Sequence, residues 1–135
     1  MSRRVLYFFP YNLFASQTGV QQRGLEILEA LRGLGCETTL FSSVATLDKA
    51  WNGVSASEFS DHRCRELILH KPSPWEVAYL WAGRTTYHAL KRWSKGTASK
   101  LEARSINGSI HSTPSMRECF HDAIARVNPD IIFMT

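Results

Sequence analysis

The chain has 135 residues, a formal net charge of +4, 44% apolar residues and 21% charged residues. That length suits one domain, and that balance excludes a disordered polymer. A pI near 9.2 admits an anionic partner such as a nucleotide diphosphate, a phospholipid face or nucleic acid, and selects none of them. The cysteines at 36, 64 and 119 are odd in number and form no CxxC pair, which excludes a disulfide framework and argues against a zinc site. A reducing cytoplasm fits them best.

The opening Met1-Ser2-Arg3-Arg4 and the apolar run behind it look superficially like a signal peptide. Pro10, Tyr11 and Asn12 interrupt the run too early for a good hydrophobic region. No stretch is long and apolar enough to span a bilayer.

Val5 to Phe9 is an unbroken apolar run, the pattern of a strand buried on both faces of a parallel sheet. Tyr11 to Thr18 reads as loop. From Gly19, the residues Val20, Gly24, Ile27, Leu28, Leu31 and Leu34 recur at helical spacing. Gln21, Gln22, Arg23, Glu26, Glu29 and Arg32 fill the other face. Gly24 falls on the apolar face, where a missing side chain lets helix and sheet approach closely. Gly35 is placed to stop the helix. Cys36 to Ser42 predicts a second strand, so the first forty residues read as a right-handed βαβ unit.

Val44 to Ser60 is ambiguous, with a short helix around Leu47, Ala50 and Trp51 as one reading. Arg65 to His70 predicts a third strand and Trp75 to Ser94 an aromatic-rich helix. Lys95 to Ser112 predicts a polar, mobile loop. Thr113-Pro114 is a helix start, a capping hydroxyl followed by proline at the first helical position. That helix runs through Met116, Phe120, Ala123, Ile124 and Val127 and ends at Asn128-Pro129. Asp130 to Met134 predicts a fourth buried strand, with Asp130 starting the strand rather than doing chemistry. The expectation is an open, mainly parallel Rossmann-like α/β sheet of about four strands, order 3-2-1-4, with helices on both faces.

Three segments carry a family resemblance. They are Arg4-Val5-Leu6-Tyr7-Phe8-Phe9-Pro10, the stretch from Thr18-Gly19-Val20-Gln21-Gln22-Arg23 to Leu40, and Asn128-Pro129-Asp130-Ile131-Ile132-Phe133. In this order they resemble the N-terminal domain of family 4-like glycosyltransferases with the B-type fold. The likeness covers roughly a third of the chain, and 44–112 matches only in outline. Thr18 stands where the family usually has the first of two adjacent glycines, and Cys36 where its second strand often starts with histidine.

The resemblance implies a hexosyltransferase-type enzyme that moves a sugar from a nucleotide-sugar donor to an acceptor hydroxyl with retention. Residues 1–135 would be the acceptor-side domain of such an enzyme. The chain ends at Thr135, directly after the fourth strand. The expectation is an incomplete domain without the C-terminal nucleotide-sugar domain, inactive alone. The implied acceptor is a glycan or lipid-linked molecule, the location cytoplasmic or membrane-associated. No catalytic residue, metal or cofactor beyond the donor substrate is expected, nor a nucleic-acid partner.

Gly19 has a physical role without the family. A glycine between a buried parallel strand and a helix lets backbone approach a ligand, and the helix N-terminus offers free N–H groups and partial positive charge. Donor diphosphate binding is therefore assigned to Thr18, Gly19, Val20 and Arg23, with Thr18 offering a hydroxyl and Arg23 a charge. The plainer alternatives are a simple turn at Gly19 and a solvated face at Arg23. No Gly-Lys-Ser/Thr follows, so the loop is not a Walker motif, and it is not a full GxGxxG.

Between Trp75 and Arg104 the chain interleaves five aromatics with six cations, including Arg84. Such a segment suits an anionic membrane surface. The commoner arrangement is a core helix whose aromatics face the sheet and whose charges face water. Arg84 and His111 are candidates for the acceptor side, and a surface histidine is the plainer account of the latter. His62, His70, His88, His111 and His121 show no ligand-like pairing. Two rivals stay open: another nucleotide- or phosphate-binding α/β module, such as a response-regulator-like or reductase domain, and a non-catalytic interaction domain using the aromatic helix.

Overall fold

A computed structural model describes residues 2–10, 12–15, 18–43, 63–93 and 113–134, the side chains of Ala15 and Arg84 excepted. The ambiguous segment 44–60 and the expected loop at 95–112, with His111, lie outside the described residues.

Four parallel strands form one open sheet in the order β3-β2-β1-β4, as the sequence predicts. They are β1 (Arg4–Phe8), β2 (Glu37–Ser43), β3 (Glu66–His70) and β4 (Ile131–Met134). Among the described residues three helices accompany them: α1 (Gly19–Gly33), α2 (Pro74–Trp93) and α3 (Pro114–Val127). A short 3-10 turn, Leu13–Ala15, precedes α1.

β1 is one of the two inner strands, and its Val5, Leu6 and Tyr7 have no exposed surface. Successive side chains alternate between faces. Tyr7 and Phe9 join Leu40 and Leu67 against Leu28 of α1. Leu6 joins Phe41 against Met116 and Ala123 of α3, with Phe8 and Phe120 packed alongside. The rings of Phe41 and Phe120 meet edge-on at 5.1 Å between centroids. Helices α1 and α3 therefore cover opposite faces of the sheet.

Gly24 is the point of closest approach between α1 and the layer beneath it. A Cβ there would lie 2.8 Å from Phe9 Cε2 and closer still to Leu13 Cδ1. The Gly24 carbonyl also accepts a long hydrogen bond from the Tyr7 hydroxyl, 3.4 Å.

Helix α1 ends as its glycine predicts. Gly35 has φ of +72°, the Gly35 N–H donates to Arg32 O and the Cys36 N–H to Leu31 O, a Schellman closure. Helix α3 ends on Asn128 in the left-handed conformation, directly before Pro129. Asp130 then fixes where β4 begins. Its carboxylate accepts from the Arg4 N–H at 2.8 Å, and its own N–H donates to Arg4 O at 2.8 Å.

Three expectations change. β4 is not buried: it is the sheet's edge, and Ile131, Ile132 and Met134 are exposed. An apolar run shows that a strand forms, not which neighbours cover it. The face of α1 is rotated from the sequence reading. Val20 is 63% exposed while Gln21 is buried, because Gln21 Nε2 donates to Asn12 O at 2.7 Å. Finally, the aromatics of α2 do not face the sheet: Trp75, Tyr79, Trp81 and Trp93 are exposed, and Leu80 is the buried apolar residue of that helix.

Gly24→Ala is expected to lower stability by about 1–3 kcal/mol through overpacking, against the usual helix preference for alanine. Gly19→Ala, where an added Cβ meets nothing within 4 Å, should stay within about 0.5 kcal/mol of the parent. Urea midpoints of the two variants provide the comparison, and equal losses would contradict the packing account.

Candidate functional site

In open parallel sheets ligands bind beyond the carboxyl ends of the strands, at the point where strand order reverses. Here the chain moves from β1 out to β2 and β3, then returns to place β4 on the other side of β1. The switch therefore falls between β1 and β4.

Helix α1 starts beyond the end of β1. Thr18, extended at φ −129° and ψ 156°, caps it. The Gln21 N–H donates to Thr18 Oγ1, and Gln21 Oε1 accepts from the Thr18 N–H at 3.0 Å. This reciprocal capping box satisfies the third N–H of the helix, and the Gln22 N–H is bonded to Thr18 O. The N–H groups of Gly19 and Val20 have no partner among the described residues. Both residues are exposed, with open space where a Gly19 side chain would stand.

The structure thus brings together Thr18, Gly19 and Val20 from the assigned set. The Thr18 hydroxyl is already engaged with Gln21, to which it also lies 3.2 Å as a donor to Oε1. Arg23 is exposed one turn further along the helix. The side chain of Arg84 and the whole of His111 lie outside the described residues.

Helix α3 starts differently. Pro114 has no N–H, the Met116 N–H donates to Thr113 Oγ1, and the Ser115 N–H donates to Glu76 Oε1 at 3.0 Å. Its first turn is closed from within the chain and offers no N–H to an anion.

A second cluster sits at the carboxyl ends of β2 and β3, and sequence reasoning did not find it. Ser43 ends β2, His70 ends β3, Glu76 lies in the first turn of α2 and Ser115 in the first turn of α3. His70 is buried. Its Nδ1 lies 3.1 Å from Ser43 Oγ and its Nε2 lies 2.8 Å from Ser115 Oγ. Ser115 Oγ donates its single proton to Glu76 Oε2. Ser115 Oγ must therefore accept on its other side, which puts the imidazole proton on Nε2. Nδ1 then accepts from Ser43. Hydrogen bonds run in one direction, from Ser43 through His70 and Ser115 to Glu76.

Charge in this chain is settled by its surroundings. Burial lowers the His70 pKa, and the negative charge of Glu76 opposes that shift only in part. Burial acts to raise the pKa of Glu76, but hydrogen bonds from Ser115 and Ser73 outweigh it and lower the value to about 2. One of these bonds belongs to a second capping box, in which the Ser73 N–H donates to Glu76 Oε2 and the Glu76 N–H donates back to Ser73 Oγ. One carboxylate thus serves the N-termini of both α2 and α3, where each helix dipole favours negative charge. The Ser73-Pro-Trp-Glu76 spacing was the available signal in sequence. The meeting with His70 and Ser115 is tertiary.

Ser43 is buried, and the first turn of α3 has its N–H groups bonded within the chain. The cluster's chemistry is to bind α2 and α3 to the sheet at the ligand edge.

A third feature lies on the α3 face of the switch point. A cleft of about 280 Å³ is lined by Phe8 and Met134 from the ends of β1 and β4, and by Met116, Arg117, Phe120 and His121 of α3. Its walls are mostly apolar, with Arg117 and His121 exposed along α3.

Among the described residues no three His, Cys, Asp or Glu side chains converge as a metal ion would require. None of the described helices is long and apolar enough to cross a membrane. None of the three cysteines forms a disulfide, and burial first, then Asp122, raises the pKa of the Cys119 thiol.

These features define a Rossmann-like α/β domain whose α1 N-terminus is open at the ligand edge. No family model, curated protein or solved structure matches the chain.

Linkage gives the cluster a pH signature. The Glu76 carboxyl titrates lower when folded than its ordinary 4.5, so its stabilisation is complete above that value and is lost as pH falls towards about 2. His70 is likewise held neutral when folded, so its protonation opposes folding as pH falls below its ordinary 6.5. Glu76→Gln should lower stability at pH 7 and flatten the acid limb below 4.5, while the limb that starts near 6.5 persists and deepens, because the charge that partly supports His70 protonation is gone. Thermal melts across pH 3–8 would show this, and an unchanged acid limb would refute the assignment.

Proposed function

We propose that this chain is the acceptor-side Rossmann-like domain of a glycosyltransferase that uses a nucleotide-sugar donor. The observation that carries this reading is the open first turn of α1. Gly19 and Val20 offer two N–H groups with no partner among the described residues, beyond the end of a buried parallel strand and at the positive end of a fifteen-residue helix. A diphosphate is the ligand chemistry that such a turn suits, because backbone donors and the helix dipole act on it together.

In transfer, the bond between the anomeric carbon and the diphosphate breaks and the diphosphate leaves with the electron pair. Negative charge grows on its oxygens, and the two N–H groups would stabilise it without needing to reorganise. Thr18 contributes by fixing the turn through its capping box, and its hydroxyl need not touch the donor. Arg23 adds positive charge nearby. The donor base and sugar would be held mainly by a second domain, as the resemblance implies.

The cleft at the end of β1 and β4 suits the acceptor. Its apolar walls fit the hydrophobic part of a lipid-linked molecule, and Arg117 and His121 fit a polar or anionic group next to it.

Gly19→Pro isolates the proposed interaction. Proline is well tolerated at the first helical position, and Thr18 already has the extended backbone that must precede it. The variant should keep the helix but lose one N–H. In amide NMR titrations with nucleoside diphosphates and their sugar conjugates, the Gly19 and Val20 resonances should move first and binding should be weak. Gly19→Pro should weaken it about tenfold or more, the scale of a hydrogen bond to a charged group. Saturable binding that leaves both resonances in place would reject the site.

A further inference from the structure

The outer face of α2 carries more apolar surface than a solvated helix has reason to expose. Trp75 and Trp93 are 86% and 90% exposed, and eighteen residues apart they lie five turns from each other on the same side of the helix. Tyr79, Ala82, Thr86 and Ala89 fill the stripe between them, and every one is exposed. The stripe contains no charge. Its one hydroxyl on an aliphatic side chain is spent within the helix, since Thr86 Oγ1 donates to Ala82 O at 2.8 Å. The result is an uncharged strip about 27 Å long on a helix whose buried residue, Leu80, faces the other way.

We propose that this strip is where a second copy of the same chain docks, with the two α2 helices antiparallel across a two-fold axis near residue 84. The order of side chains along the strip supports that occupant. Read in opposite directions about this midpoint, Trp75 meets the partner's Trp93, Tyr79 meets the partner's Ala89, and Ala82 meets the partner's Thr86. Large residues meet small ones in the middle, which lets the helices approach to the usual 8–10 Å, and the indoles pair at both ends. Antiparallel helices also oppose their dipoles.

The area is sufficient. Three aromatics at about 150–250 Å² each offer about 450–750 Å² per copy, close to the ~800 Å² per partner of a standard stable interface. A bilayer fits less well. An interfacial helix needs bulky apolar residues along its length and cations along its polar face. Here the centre of the strip is alanine and threonine. Of the three cations in the sequence of α2, Arg84, Lys91 and Arg92, two fall in the last turn, and Lys91 lies over the Tyr87 ring at 5.8 Å. This self-docking is independent of the glycosyltransferase reading, because α2 contributes nothing to the α1 turn.

Sedimentation velocity over a dilution series of the chain should show a reversible monomer–dimer equilibrium. The double variant Trp75→Ala/Trp93→Ala removes exposed side chains and should keep the circular dichroism of the parent. It should weaken dimerisation about tenfold or more. Trp81→Ala, exposed but off the strip, should leave the equilibrium unchanged and controls for general loss of aromatic surface. Thr86→Glu places a charge beside the axis and should give a monomer. A chain that stays monomeric at all concentrations, or dimerises equally well in the double variant, overturns the proposal. So does a monomer that cosediments with phosphatidylglycerol vesicles through Trp75 and Trp93, since the bilayer would then be the occupant.

Discussion

Burial of β1 on both faces is the constraint from which the rest of the architecture follows. A strand whose side chains point alternately to two faces, all of them apolar, has no face to give to water. It needs a cover on each side and a paired neighbour at each edge. Tyr7 and Phe9 require α1, Leu6 and Phe8 require α3, and β2 and β4 take up the backbone groups on either side. The closeness of that cover is set at Gly24, where the absence of a side chain lets Phe9 and Leu13 come up against the helix backbone. At the opposite end of the strand, Asp130 grips both backbone groups of Arg4 and so fixes the register of β4.

The carboxyl edge of the sheet shows two contrasting uses of a helix start. At α3 the orphan donors are consumed by Thr113 and the carboxylate of Glu76, and at α2 Ser73 takes the N–H groups of Glu76 and Val77; Glu76 is itself held by Ser115 and tied through it to His70. At α1 the capping box of Thr18 and Gln21 uses only the inner donors and leaves the outermost two exposed. An anion arriving at α1 therefore finds two adjacent N–H groups without a partner among the described residues. Electrostatics and the position of the chain reversal both point to the same corner, next to the cleft between β1, β4 and α3.

Helix α2 departs from the layered plan. Glu76 anchors its start, while its outer side carries two indoles and a phenol with no charge between them. Such a surface on a chain of net positive charge sets partner choice more than fold, because removing those rings would leave the sheet and its two covering helices intact.

Local signals made most of the architecture readable. The apolar run of β1, the Gly35 stop, the Thr113-Pro114 start and the Asn128-Pro129 stop each act within a few residues, and each appears where the sequence put it. The strand order was readable too, because chain reversal rules leave few options for βαβ units. By contrast, the burial of His70 and its link to Ser43, Ser115 and Glu76 join residues up to seventy-two positions apart. No spacing rule spans that separation. The edge position of β4 and the outward turn of the α2 aromatics were equally out of reach, since hydrophobic pattern reports what a segment would bury and not whether a neighbour is there to cover it. The sequence alone determined the elements, their ends and the open glycine turn, because caps and periodicity are local physics. Only tertiary structure decided which surfaces stay uncovered and which polar groups meet, because those depend on how distant segments share the two faces and the carboxyl edge of one sheet.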